Sequence, residues 1–168
     1  MRVSFDGATH RGPLLRAGIL LGIGLGGFVD GIILHQILQW YHMLSSGPYP
    51  PTSLENLEAN TLWDGLFHAA TWVATAVGLS LLWRAGGRSD VPWLRRVFVG
   101  SLAIGWGLFN LVEGIIDHHI LGIHHVRTDV PNVLLWDLGF LAFGAILVAL
   151  GWIMVQAGSQ GRELTHSR

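Results

Sequence analysis

The sequence predicts an all-α integral membrane protein, a four-helix bundle built from two tandem two-helix repeats with both termini cytoplasmic. Three observations predict it. Four long apolar stretches are separated by turn-forming breaks, the arginines fall almost entirely on one side of those stretches, and the chain matches itself at an offset of 83 residues.

Composition sets the class. The chain has 168 residues, of which 51% are hydrophobic, long enough for one domain and too apolar for an ordinary soluble one. It has no cysteine, which removes disulfides, thiolate zinc sites and cysteine nucleophiles together. Any metal has to be held by His, carboxylate or Met. The net charge is −1 and every basic residue is Arg, so nothing suggests nucleic acid as a partner. The bilayer is the partner that composition does imply.

The first apolar run spans Leu14 to Tyr41 and the others Leu62 to Trp83, Trp93 to Ile123 and Val133 to Val155. Each is long enough to cross roughly 30 Å of hydrocarbon. The first is a full span without a convincing cleavage site, so it reads as a retained helix and not a signal peptide. The breaks are "SSGPYPPTS", "RAGGRSDVP" and "RTDVPN". Asn60 or Thr61, Asp90 and Asn132 are the expected N-caps of the second, third and fourth helices. The reading is thus a tail over 1–13 and a membrane domain over 14–155, followed by a tail over 156–168. Its helices cover about 14–43, 61–83, 93–123 and 132–155. His10 and His166 fall in the tails, which are read as disordered.

Nine of the ten arginines lie in the N-terminus, the second loop or the C-terminus, and Arg127 alone lies in the third loop. Positive residues stay inside, so both termini face the cytoplasm and loops one and three the other side, in a multi-pass plasma (inner) membrane protein.

The self-match sets "GFVDGIILHQILQWYH" (27–42) over "NLVEGIIDHHILGIHH" (110–125), with eight identities in sixteen positions. The matched histidines, His35/His118 and His42/His125, carry the weight, with Gly31/Gly114 and the conservative pair Asp30/Glu113. A weaker echo sets "LWDGLFHAA" (62–70) against "LWDLGFLAF" (135–143). Two hairpins that enter the membrane in the same direction imply a pseudo-twofold axis along its normal.

On a helix, residues seven apart lie about 20° from one another around the axis, so His35 and His42 share a face, as do His118 and His125. Gly24, Gly31, Gly107 and Gly114 continue those stripes, and small residues let membrane helices approach closely. If the first and third helices meet there, the histidines converge at the outer surface. Asp64 and His68 on the second helix and Asp137 on the fourth start from the same side. The expected metal set is therefore His35, His42, Asp64, His68, His118, His125 and Asp137, a His/carboxylate set suited to Zn, Fe, Mn or Cu(II). Asp30 and Glu113 lie about 7 to 8 Å deeper than their histidines and roughly 140° away on an ideal helix, and are read as buried acids or a proton step. Acids at that depth cost about 2.5 to 3.5 kcal/mol on insertion scales.

The remaining polar residues have plainer readings. His119 and His124 lack matched copies and read as interfacial anchors, Asp117 and Asp129 as solvated charges, and the eight tryptophans as an aromatic belt.

The run "DGIILHQILQWYHM", "LWDGLFHA", "EGIIDHHILGIHHVR" and "LLWDLGF" resembles a family of small bacterial four-span membrane proteins, over about residues 14–155. The resemblance implies the topology and supplies no activity. It also implies company with cytochrome oxidase assembly factors, hence a respiratory-complex partner and copper. The leading expectation is a transition-metal site near the extracytoplasmic face, for metal handling or metal-dependent redox chemistry. The alternatives are a b-type haem protein, a small proton- or metal-coupled transporter, which four helices would serve better as a homodimer, and an assembly factor for a respiratory complex. No motif decides whether the protein is an enzyme.

Overall fold

The computed structural model describes residues 10–166, with side chains to residue 158. The expected N-terminal tail therefore lies largely outside the described residues, as does the side chain of His166. Helix α1 runs over Gly12–Val29 and continues as a π-helix over Asp30–Ile37; α2 covers Leu54–Gly86; α3 covers Arg95–Glu113 and continues as a π-helix over Gly114–Ile120; α4 covers Val133–His166. All four are long and apolar enough to cross a membrane.

Local chemistry explains where they start. Pro13 in the first turn of α1 needs no backbone partner. Ser53, not Asn60 or Thr61, caps α2: its Oγ accepts from Asn56 N at 3.2 Å, so the helix begins two turns early. Asn60 is buried and ties down the first loop, accepting from Leu44 N at 2.9 Å and donating to Tyr49 O at 2.7 Å. Asp90 is occupied by Arg88, and α3 starts after Leu94 without a side-chain cap. Asn132 Oδ1 accepts from Leu135 N at 3.3 Å at the start of α4, which continues as helix into the expected C-terminal tail as far as His166.

The first and third helices end earlier than hydropathy suggests, at Ile37 and Ile120. The chain leaves them through left-handed residues, Gln39 at φ 49° and Gly122 at φ 59°. His42 and His125 therefore sit in loops and not on the helix faces expected for them.

The helices form a row and not a closed bundle. Helix α1 packs on α2 and α3, α3 packs on α1 and α4, and the outer helices α2 and α4 do not pack on each other. At the α1–α3 crossing the backbones touch: a Cβ on Gly22 would stand 2.2 Å from the Leu102 carbonyl oxygen, and one on Gly105 2.0 Å from that of Ile19. Only glycine permits that approach. The expected stripe glycines pack closely too, but against the hairpin partner. Gly24 meets Thr71 and Thr75 and Gly31 meets Phe67 and His68 on α2, while Gly107 meets Gly144 and Val148 and Gly114 meets Phe140 and Leu141 on α4. Large side chains such as Trp72, Leu79 and Trp83 on α2 and Ile146, Trp152 and Ile153 on α4 point outwards, as lipid-facing helices require. The interior instead holds glycine at the crossings and, at the end carrying the first and third loops, a cluster of His and carboxylate side chains.

Candidate metal centre

The π-helical turns place the deep acids. Leu38 N bonds Ile33 O and Leu121 N bonds Ile116 O, both five residues back. That pitch brings residues five apart onto one face, so Asp30 meets His35 and Glu113 meets His118, where an ideal α-helix would hold them apart. A π-turn leaves no mark in hydropathy, and this contact was not legible from spacing.

In the N-terminal half, buried His35 lies between two carboxylates. Its Nδ1 is 2.9 Å from Asp64 Oδ1 on α2, and its Nε2 faces Asp30 Oδ2 at 3.2 Å without hydrogen-bond geometry. Tyr41 Oη donates to Asp30 Oδ1 at 2.5 Å. Asp64 is fully engaged, by His42 Nδ1 at 2.7 Å on Oδ2 and by Met43 N at 2.9 Å on Oδ1. Burial, and then the Asp30 and Glu113 carboxylates, push the Tyr41 hydroxyl well above its ordinary range, so with no cation beside it the phenol is a donor.

The C-terminal half repeats the frame. His118 Nδ1 faces Asp137 Oδ1 at 3.5 Å, and its Nε2 lies 3.1 Å from Glu113 Oε1. His125 Nδ1 is 2.8 Å from Asp137 Oδ2, and Val126 N donates to Asp137 Oδ1 at 3.0 Å. In Tyr41's place stands His124, 83 residues on, with Nε2 2.7 Å from the same Glu113 Oε1 and Nδ1 3.2 Å from the Met43 carbonyl. Glu113, His118 and His124, all buried, offer three ligand atoms within 4.8 Å of one another.

The halves meet over these rings. Tyr41 and His124 stack at 4.6 Å with 9° between their planes, and His35 lies 5.9 Å from His124. Ser46 N and Gly47 N both donate to Ile123 O, joining the two loops as a lid. An open pocket of about 630 Å³ lies at the mouth, where Trp40, Tyr41, His42, Ser45, Arg127 and Asp129 help to line it. Arg127 stacks there between Trp40 and Trp136 and pairs with Asp129.

Of the expected residues, the structure brings His35, His42 and Asp64 together, and likewise His118, His125 and Asp137, with Asp30 and Glu113 joining them. His68 stands apart: its Nδ1 is 2.7 Å from the carbonyl of Asp64 in its own helix, and its ring packs against Phe28 and Phe67. His119 is exposed. His124 is no interfacial anchor, since it is completely buried at the centre of the cluster. Its signal was present at the Tyr41/His124 alignment, where two different rings keep a hydrogen-bonding aromatic at one position.

Fold and site define a four-span membrane protein whose buried polar cluster lies under the loops at one end. The chain belongs to the DUF2243 family of predicted membrane proteins, whose family model matches residues 17–158. No curated protein and no solved structure matches it.

Proposed function

We propose that this cluster is a transition-metal centre near the extracytoplasmic face of the plasma membrane, for metal handling or metal-dependent redox chemistry. One observation carries the reading: two buried imidazoles converge on one oxygen of Glu113, with three ligand atoms within 4.8 Å of one another. The carbonyl of Met43 can only accept, so the proton of a neutral His124 sits on Nδ1, leaving a bare Nε2 lone pair 2.7 Å from Glu113 Oε1. Two acceptors face each other in a dry interior only with a cation between them, either a proton on the pair or a metal ion, and a metal ion is the cation that would also engage His118. The second imidazole, His118, aims its Nε2 at the same oxygen, and Glu113 Oε2 has no partner. One metal ion bound by Glu113, His118 and His124 would satisfy all three.

The surroundings support this reading. Metal-bound histidines are commonly oriented by a carboxylate or carbonyl on the other ring nitrogen, and Asp137 and the Met43 carbonyl stand where such groups belong. Asp64, Asp137, His42 and His125 then orient ligands and do not bind the ion. When bound, the ion would supply Lewis acidity or one-electron chemistry. The chain's own residues fix its ligands, exclude water and leave the pocket at Tyr41 and His42 as the way in. A b-type haem is disfavoured, because both nitrogens of His35 and of His118 face carboxylates. The arginine distribution supports a cluster on the outer side with the termini in the cytoplasm, and residues 83 apart with matching partners suit a tandem duplication.

Elemental analysis and a visible spectrum of protein purified in detergent test the proposal. Stoichiometric transition metal, reduced in Glu113→Gln and in His118→Ala, is expected; wild-type protein without metal after loading with zinc overturns it.

A second reading, proton coupling, is favoured by the line His42, Asp64, His35 and Asp30, which runs from the mouth into the interior. Proton-coupled flux in proteoliposomes, lost in Asp30→Asn, is its expected signature, and flux indifferent to Asp30→Asn and Glu113→Gln removes it.

A further inference from the structure

We infer that the N-terminal half holds a second, chemically different cation site, formed by Asp30 Oδ2, His35 Nε2 and the Tyr41 phenolate oxygen. The inference rests on the metal-centre reading and extends it to two ions per chain.

Its observations are independent of Glu113. Asp30 is 4% exposed and His35 not at all, and Asp30 Oδ2 and His35 Nε2 face each other at 3.2 Å as an ion pair that lacks hydrogen-bond geometry. Buried polar atoms are rarely left without a well-directed hydrogen bond, and a carboxylate oxygen and an imidazole nitrogen set side by side at that distance suit adjacent ligands of one ion. The opposite side of the His35 ring is already anchored, Nδ1 to Asp64 at 2.9 Å. That is the carboxylate–histidine arrangement that orients a metal ligand. Tyr41 supplies the third donor. Its hydroxyl is bonded to Asp30 and its ring lies 4.4 Å from that of His35, so an ion bound by Asp30 and His35 would take the phenol oxygen while the phenol proton leaves to water through the open pocket that Tyr41 lines.

The two sites would differ in character. Two imidazoles and one carboxylate at Glu113, His118 and His124 suit Zn(II), Fe(II) or Cu(II), whereas carboxylate, phenolate and one imidazole add harder oxygen donors that favour Fe(III), Mn or Cu(II). The Tyr41/His124 stack at 4.6 Å puts a third donor of each site on adjoining rings.

Equilibrium dialysis of the full chain in detergent against zinc, followed by elemental analysis, tests the count. Two zinc per wild-type chain, falling to one in Asp30→Asn and to one in Glu113→Gln, is the expected result. Loading with Cu(II) supplies a second readout that does not depend on how well Asp30→Asn folds. A phenolate-to-copper charge-transfer band is expected, and Tyr41→Phe removes it while the chain keeps its copper. One zinc per chain, lost in Glu113→Gln and unaffected by Asp30→Asn and His35→Ala, overturns the second site and leaves the first standing. One zinc lost in either variant means a single shared ion, and also overturns it. No zinc overturns both readings, and copper bound without a Tyr41-dependent band removes the phenolate from the site.

Discussion

In the N-terminal half the deep acid is an aspartate that divides its oxygens, Oδ1 to Tyr41 and Oδ2 towards His35. In the C-terminal half it is a glutamate that brings a single oxygen to both His118 and His124. Around this difference the frame is the same. Each half has a π-turn at the acid, a buried histidine between the acid and a hairpin-partner aspartate, and a loop histidine and a backbone N–H on that aspartate. The extra methylene of Glu113 lets one oxygen reach two rings, while the shorter Asp30 meets a phenol that donates to it. A constant frame with exchanged donors is what two sites of unlike chemistry would require.

The largest effect is expected where the halves join. A side chain at Gly105 would collide with backbone, the Ile19 carbonyl oxygen at 2.0 Å and Gly22 Cα at 2.9 Å, and backbone cannot rotate aside. Overpacking a tight contact costs about 1–3 kcal/mol, and more where nothing relaxes. Gly105→Val should therefore lower the thermal unfolding midpoint in detergent sharply and reduce bound zinc, because His124 depends on Met43 and Tyr41 from the other half. Gly139→Ala, where nothing lies within 4 Å, should change neither. Full zinc content in a destabilised Gly105→Val protein would mean that each half binds alone.

A smaller and symmetrical effect is expected at the orienting aspartates. Asp64→Asn and Asp137→Asn keep shape and weaken the hold on the ligand histidines, and losing such a partner typically costs about 10–100-fold in metal affinity. Zinc titration should show one weakened site in each variant, the N-terminal site in Asp64→Asn and the C-terminal site in Asp137→Asn. Loss of both sites in one variant would show that the aspartates support the fold and not a particular ligand.

Much of this frame was legible before any coordinates. Hydropathy alone marks the four spans, because a bilayer demands long apolar helices. The self-match singles out His35, His118, Asp64 and Asp137, because a position held in both halves stands out against apolar background. The rest was hidden for physical reasons. The π-turns depend on how each helix end packs, so Asp30 and Glu113 looked turned away from their histidines. The pair Tyr41 and His124 escaped because identity was the test and the shared property was a stackable, hydrogen-bonding ring. His42 and His125 were set on helix faces because nothing in "ILQWYH" or "ILGIHH" announces a left-handed exit, except the glycine in the second.

That exit supplies the smallest test. Gln39 and Gly122 occupy the same place after their helices with φ of 49° and 59°, a conformation easy for glycine and strained for a residue with a Cβ. The N-terminal half therefore carries a local strain that the C-terminal half avoids. Gly122→Gln should cost roughly 1 kcal/mol, a fall of roughly 2–4 °C in unfolding midpoint for a chain of this size. Gln39→Gly should gain less than Gly122→Gln loses, because the freer unfolded chain offsets part of the relief. Gln39 lines the pocket at the mouth beside Tyr41 and His42, so the strain holds the loop that carries two members of the N-terminal cluster. If Gln39→Gly raises the midpoint and weakens only the N-terminal site, the strained residue serves to position that loop. An unchanged site would make Gln39 a tolerated irregularity, and the two helix exits would then be equivalent in function as well as in shape.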